Sequence, residues 1–221
     1  MTIDDVICEV LSGSRQTTIK FMNVDHPSVR PFSRPVCSPS LMRKNIQTLI
    51  ETLGLKVFHD ETIKDLANLT TRGELTIRPQ KAFRAPIFYD MVMVHEIAHE
   101  LYHRLRIRSG VSRWVRNNID GVRVRRPALA LEEIVVEATA VFVTDMLVPN
   151  IQKKYFGPSF YYIRERLADL AVYGVPWKKH RQILEYCLEK SLKLAIGFVG
   201  INIFSSAKLR RVARTTKRKD N

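Results

Sequence analysis

In the segment His95-Glu96-Ile97-Ala98-His99, two imidazoles stand four residues apart with a carboxylate beside the first. On an α-helix that spacing puts His95 and His99 one turn apart on one face, so both rings can reach a single ion. Glu96, one position beyond the first ring, can lean over that ion and hold its water. Two imidazoles plus a carboxylate suit zinc, with a fourth position open for the water. The ion would bring the water's pKa towards roughly 7, and Glu96 would take its proton as general base. With six histidines in the chain, random drawing yields about 0.01 such pentads per sequence. Chance does not explain the motif.

The third ligand has to come from elsewhere in the chain. The segment Leu131-Glu132-Glu133-Ile134-Val135-Val136-Glu137-Ala138 sets carboxylates in an otherwise apolar helix, where unpaired buried charge is costly. Glu133 and Glu137, four residues apart, would both be satisfied by a metal and its histidines. Glu133 as ligand, with Glu137 accepting from the far nitrogen of a ligating histidine, is one assignment. Glu137 as the ligand is the other. Glu132 is expected to face solvent. His103 lies two turns beyond His95, roughly 12 Å along a helix axis, too far to share one ion with it. Tyr102 and His103 are instead candidates for steadying an oxyanion or touching substrate. The longer three-histidine pattern is not met, because Tyr102 and Leu105 stand where it needs Gly and His. One zinc ion per chain is the expected cofactor.

Elements must position these groups. Leu41, Ile46, Leu49, Ile50 and Leu53 recur at helical spacing, and Gly54 supplies a stop. Leu55 to Phe58 is a short strand candidate. Glu74 to Arg78 alternates as an edge strand does, between the Arg72-Gly73 turn and Pro79. A helix is expected from about Ile87 to Arg106, a basic loop over residues 109–126, and a second helix from Leu129 to Leu147. Residues 161–204 read as two or three helices broken near Gly174-Val175-Pro176. The prolines at 27, 31, 35 and 39 break helices, so residues 1–40 read as an irregular arm. The expected fold class is α+β: a small domain over residues 41–170, whose short twisted sheet has its edge strand at a cleft. A helical extension over 171–207 and a basic, disordered tail over 208–221 complete the expected organisation.

Composition limits the function classes. Hydrophobic residues at 45% and charged residues at 26% can build a core, which excludes disorder as the main state. Cys8, Cys37 and Cys187 form no CxxC pair, which excludes a thiolate metal cage and a disulfide framework and fits a reduced, cytoplasmic protein. Asp4 and Asp5 stand where an export signal needs basic residues. The apolar run Leu194 to Phe204 is too short to span a membrane. The net charge of +14 is clustered: residues 104–126 hold eight arginines and one acid, and residues 208–219 hold seven basic residues and no acid. Such blocks suit a polyanionic partner, nucleic acid or an acidic protein.

Taken with these residues, the chain resembles a zincin-type metallopeptidase with a glutamate third ligand. More narrowly it is similar to the metallopeptidase domain of ArdC-type antirestriction proteins, and more loosely to the ImmA/IrrE peptidases. The resemblance is carried by Gly73 to Pro79, by Tyr89 to His103, and by Glu132 to Glu137 followed by Ala140 and Phe142. It covers about residues 41–170. Glu100-Leu101-Tyr102 departs from the Trp-Thr-Gly of the antirestriction pattern. The resemblance implies a strand edge for extended substrate at Leu75 to Arg78, zinc histidines at His95 and His99, a catalytic Glu96 and a ligand at Glu133. The expected activity is zinc-dependent hydrolysis of a peptide or protein substrate in the cytoplasm. The alternative is a module that binds nucleic acid or protein on the same scaffold.

Overall fold

The computed structural model describes residues 1–12, 40–70, 72–109, 122–148, 150–172 and 174–200. It is mostly helical with one small mixed sheet, an α+β arrangement.

Helix α1 (Ile3–Ser12) contradicts the irregular arm for its own residues. Its start is a capping box: the Thr2 hydroxyl accepts from the Asp5 amide at 3.1 Å, and Asp5 Oδ2 accepts from the Thr2 amide at 2.8 Å. Val6, Ile7 and Val10 at helical spacing are buried, so this short segment joins the core. Residues 13–39, with the four prolines, lie outside the described residues, as do residues 201–221.

Helix α2 (Ser40–Leu53) ends as its glycine predicts. Gly54 has φ 68°, its amide donates to Glu51 O, and the Leu55 amide donates to Ile50 O at 2.9 Å. Those two bonds close the helix and turn the chain into the sheet. The sheet holds β1 (Lys56–His59), β2 (Ala67–Leu69) and β3 (Glu74–Ile77) in the order β1-β3-β2. β1 runs parallel to β3 and β2 antiparallel to it. The strand expected at the edge is therefore central. The reason lies in Arg78, whose guanidinium donates to Ile63 O, Lys64 O and Asp65 O. That clamp brings Ala67 to Leu69 beside β3, although three residues are too few to show a strand period. Leu75 and Ile77 point into the core with no exposure.

Helix α3 (Pro86–Ser109) carries the histidine motif, and α4 (Val122–Leu147) carries the glutamates. The basic, polar character of residues 109–126 predicts a loop as far as Arg126. Arginine is a good helix former in its own right, and the backbone is helical from Val122 through Pro127. Helices α5 (Gly157–Val172) and α6 (His180–Val199) flank the break expected near Gly174, which has φ 86°.

α4 packs against α3, α5 and α6. Ile134, Val136, Val141 and Val143 are all fully buried, and apolar residues on every side mark a helix enclosed by its neighbours. Residues 180–199 are not an appended extension. Leu184, Leu188, Ala195 and Phe198 of α6 share the core with α1 and α3. Among the described residues no helix is long and apolar enough to cross a membrane.

Candidate metal centre

The centre forms where α3 crosses α4. His95 and His99 project from one face of α3, and their Nε2 atoms stand 3.2 Å apart. Glu133 of α4 lies against that pair, Oε2 at 3.4 Å from His95 Nε2 and Oε1 at 3.6 Å from His99 Nε2. The opposite ring nitrogens are each held by a different carboxylate. His95 Nδ1 lies 2.7 Å from Glu137 Oε2, and His99 Nδ1 lies 2.9 Å from Glu132 Oε1. A proton on each Nδ1, donated to its carboxylate, leaves both Nε2 lone pairs facing each other and Glu133.

That geometry can be tested against a metal ion. Nitrogens bound tetrahedrally at about 2.0–2.1 Å from zinc stand about 3.3 Å apart, and a carboxylate oxygen falls at a similar separation from each. The 3.2 Å between the two Nε2 atoms matches that spacing, and the Glu133 carboxylate reaches each ring with a different oxygen, Oε2 at 3.4 Å from His95 and Oε1 at 3.6 Å from His99. The donor set fits as well: side chains of His95, His99 and Glu133 are 13%, 14% and 15% exposed, so the position is enclosed yet keeps an open approach. His95, His99 and Glu133 together could hold a metal ion.

Electrostatics point the same way. Burial disfavours a charged His95, but hydrogen bonds to Glu133 and Glu137 outweigh it and raise the imidazole well above its ordinary pKa. His99 is raised too, burial again being outweighed, here by Glu132 and Glu133. Burial would lift the Glu133 carboxyl, yet bonds from His95 and His99 hold it far below the carboxylate range. Such mutual shifts mean the cluster needs positive charge, from protons or from a cation. Glu96 differs. Burial raises its pKa, and the pull of His95 and His99 reduces that rise without cancelling it. A half-buried carboxyl with raised basicity suits a general base.

Sequence reasoning had Glu132 facing solvent, and the structure overturns this. Glu132 is 4% exposed, and its Oε1 also lies 3.0 Å from His103 Nε2. Those bonds overcome the burial that would raise its carboxyl and hold it at about 2. Helical geometry carried the signal: at roughly 100° per residue, positions 132, 133, 136 and 137 span one face of about 140°. A helix that turns Glu133 and Glu137 inwards cannot turn Glu132 fully out. Tyr162 of α5 left no such signal. Its hydroxyl donates to Glu133 Oε2 at 2.8 Å, and its ring stands edge-on to His95. Only the packing of α5 on α4 brings it in.

His103 is 54% exposed and bonded to Glu132, while half-buried Tyr102 meets the His103 ring edge-on. Arg104, at the start of the first basic block, is committed: it donates to Glu100 at 2.6 Å and to Leu53 O at 2.7 Å. The side chains of 105–126 and the whole of 208–219 lie outside the described residues. Beside the centre, a cavity of about 440 Å³ between α2, β1 and α3 is lined by Arg43, Ile50, Val57, His59, Tyr89 and Met93. Tyr89, Met93 and Glu96 follow one another at helical spacing on α3, so the cavity begins one turn before Glu96. No protein-family model, characterised protein or solved structure matches this chain.

Proposed function

We propose that the protein is a zinc metallopeptidase of the zincin type, hydrolysing peptide bonds in the cytoplasm. The observation that carries this reading is the convergence of His95 Nε2, His99 Nε2 and the Glu133 carboxylate at 3.2–3.6 Å, with each Nδ1 anchored to a separate acid. His95, His99 and Glu133 would hold zinc there, and the ion would supply a Lewis acid for acidifying water and polarising a carbonyl. Glu137 and Glu132 fix the tautomer and tilt of the two imidazoles, as carboxylates behind metal-binding histidines do. Tyr162 holds the Glu133 carboxylate in place. Glu96 receives the water's proton and passes it to the leaving amine. The cavity that reaches Met93 is lined by both apolar and polar side chains and would take a substrate side chain.

The test is metal analysis of the purified protein together with peptide-library turnover of wild type and Glu96→Gln. Zinc at one per chain in both proteins, with turnover in the wild type alone, is expected. Equal turnover by Glu96→Gln would remove Glu96 from the chemistry. The net charge of +14 favours polyanion binding as a second reading. In that case affinity for duplex DNA falls with salt at a slope near −0.9 per phosphate contacted, and deleting residues 208–221 flattens it while zinc content stays.

A further inference from the structure

His99 belongs to two groups. Through Nε2 it faces His95 and Glu133, and through Nδ1 it faces Glu132, whose Oε1 also meets His103 Nε2. His99, His103 and Glu132 each offer a ligand atom, all within 4.8 Å of one another. The two groups have the same donor chemistry, two imidazoles and one carboxylate, but different surroundings. Every member of the inner group is mostly buried, whereas His103 of the outer group is 54% exposed.

We propose that His99, His103 and Glu132 form an outer position for a divalent transition-metal ion, from which the ion passes to the inner group. This rests on the inner group being the metal centre argued above. A neutral imidazole has one lone pair, so His99 can serve one position at a time. With the ion outside, Nδ1 is the ligand and Nε2–H donates to Glu133. With the ion inside, Nε2 is the ligand and Nδ1–H donates to Glu132. Moving the ion therefore requires a shift of tautomer and no net gain or loss of protons.

The distances rank the two positions. Separations of 2.9 and 3.0 Å around Glu132 Oε1 are hydrogen-bond lengths. An ion there needs the carboxylate to draw back by a few tenths of an ångström, to the roughly 3.3 Å of bound donors. The inner donors already stand at 3.2–3.6 Å. The outer position is thus the weaker one, and it empties inwards. Its solvent-facing imidazole gives the ion a first ligand that the inner group lacks.

Cobalt(II) titration followed by absorbance and equilibrium dialysis tests this. His95→Ala destroys the inner group and spares the outer one, so that variant should still bind one cobalt per chain, more weakly and with an altered spectrum. Adding His103→Ala to it should abolish binding. In the otherwise intact chain, His103→Ala changes an exposed side chain, and it should keep one tightly held cobalt but load it several-fold more slowly. A His95→Ala protein that binds no cobalt while wild type binds one would overturn the outer position and leave the inner centre standing. Unchanged loading by His103→Ala would overturn its role as the entry point. A wild type that binds no cobalt or zinc would instead bring down the metal centre itself.

Discussion

Helix α4 meets two neighbours in opposite ways. Along its seam with α6 the hydroxyls of both helices bond to backbone: Ser191 Oγ of α6 donates to Val135 O at 2.9 Å and to Cys187 O at 2.8 Å, and Thr139 Oγ1 of α4 donates to Val135 O at 2.7 Å. Ala138 and Ala195 are fully buried nearby, and small side chains let the two helices approach closely. The Ser191 and Thr139 hydroxyls are both satisfied by backbone carbonyls. Against α3 the same helix presents three carboxylates to two inward imidazoles. There the polar groups are satisfied by one another, and the group could hold a cation. One helix can thus be structural on one side and chemical on the other. What separates the sides is whether each buried polar group finds its partner in the local backbone.

Removing the imidazoles breaks this contrast most completely. The His95→Ala, His99→Ala double variant should bind no stoichiometric zinc by elemental analysis, because both proposed positions lose a ligand. Full occupancy in that protein would end the distinction between the two sides.

The carboxylates sharpen it. Glu133→Gln should lose most of the metal affinity, and Glu137→Gln should lose roughly 10–100-fold, the usual effect of a residue that orients a ligating histidine. A competition titration with a zinc chelator reads both, and the reverse order would make Glu137 the ligand.

Acidity offers a third probe, on metal-free protein. His95 and His99 have raised pKa values when folded. The stability they contribute is complete below the unfolded value of about 6.5 and is lost as pH rises through the folded values. Calorimetry in chelator should show the melting temperature falling from slightly acid towards alkaline pH. Zinc-loaded protein should not follow that fall, since metal binding is favoured by deprotonated ligands. A metal-free melting temperature that rises over the same range would contradict the charge balance described for the cluster.

The smallest effect belongs to the α6 seam. Ser191→Ala removes one hydroxyl proton from a site where both acceptors are carbonyls with other backbone partners. It should cost about 1 kcal/mol in denaturant unfolding and leave zinc content unchanged. Loss of zinc in Ser191→Ala would show that the two sides are coupled through α4.

Much of the centre was legible in the chain because the relevant period is short. His95 and His99 had to share a face once α3 was a helix, and Gly54 had to end α2, since both follow from local geometry. The α+β class followed from the same local periods. Glu133 and Glu137 could be paired with the histidines by cost alone, as buried acids that need a partner. Their assignment was another matter. Which carboxylate meets Nε2 and which meets Nδ1 depends on the rotation and crossing of α4 on α3, and no local period encodes that. The burial of Glu132, the arrival of Tyr162 from α5 and the central place of β3 were likewise decided by tertiary packing. Each depends on a pairing between separate elements, α3 with α4, α5 with α4, and β3 with both β1 and β2. Local sequence sets which face a side chain occupies, whereas the neighbour that face will meet is chosen only when the whole core closes around it.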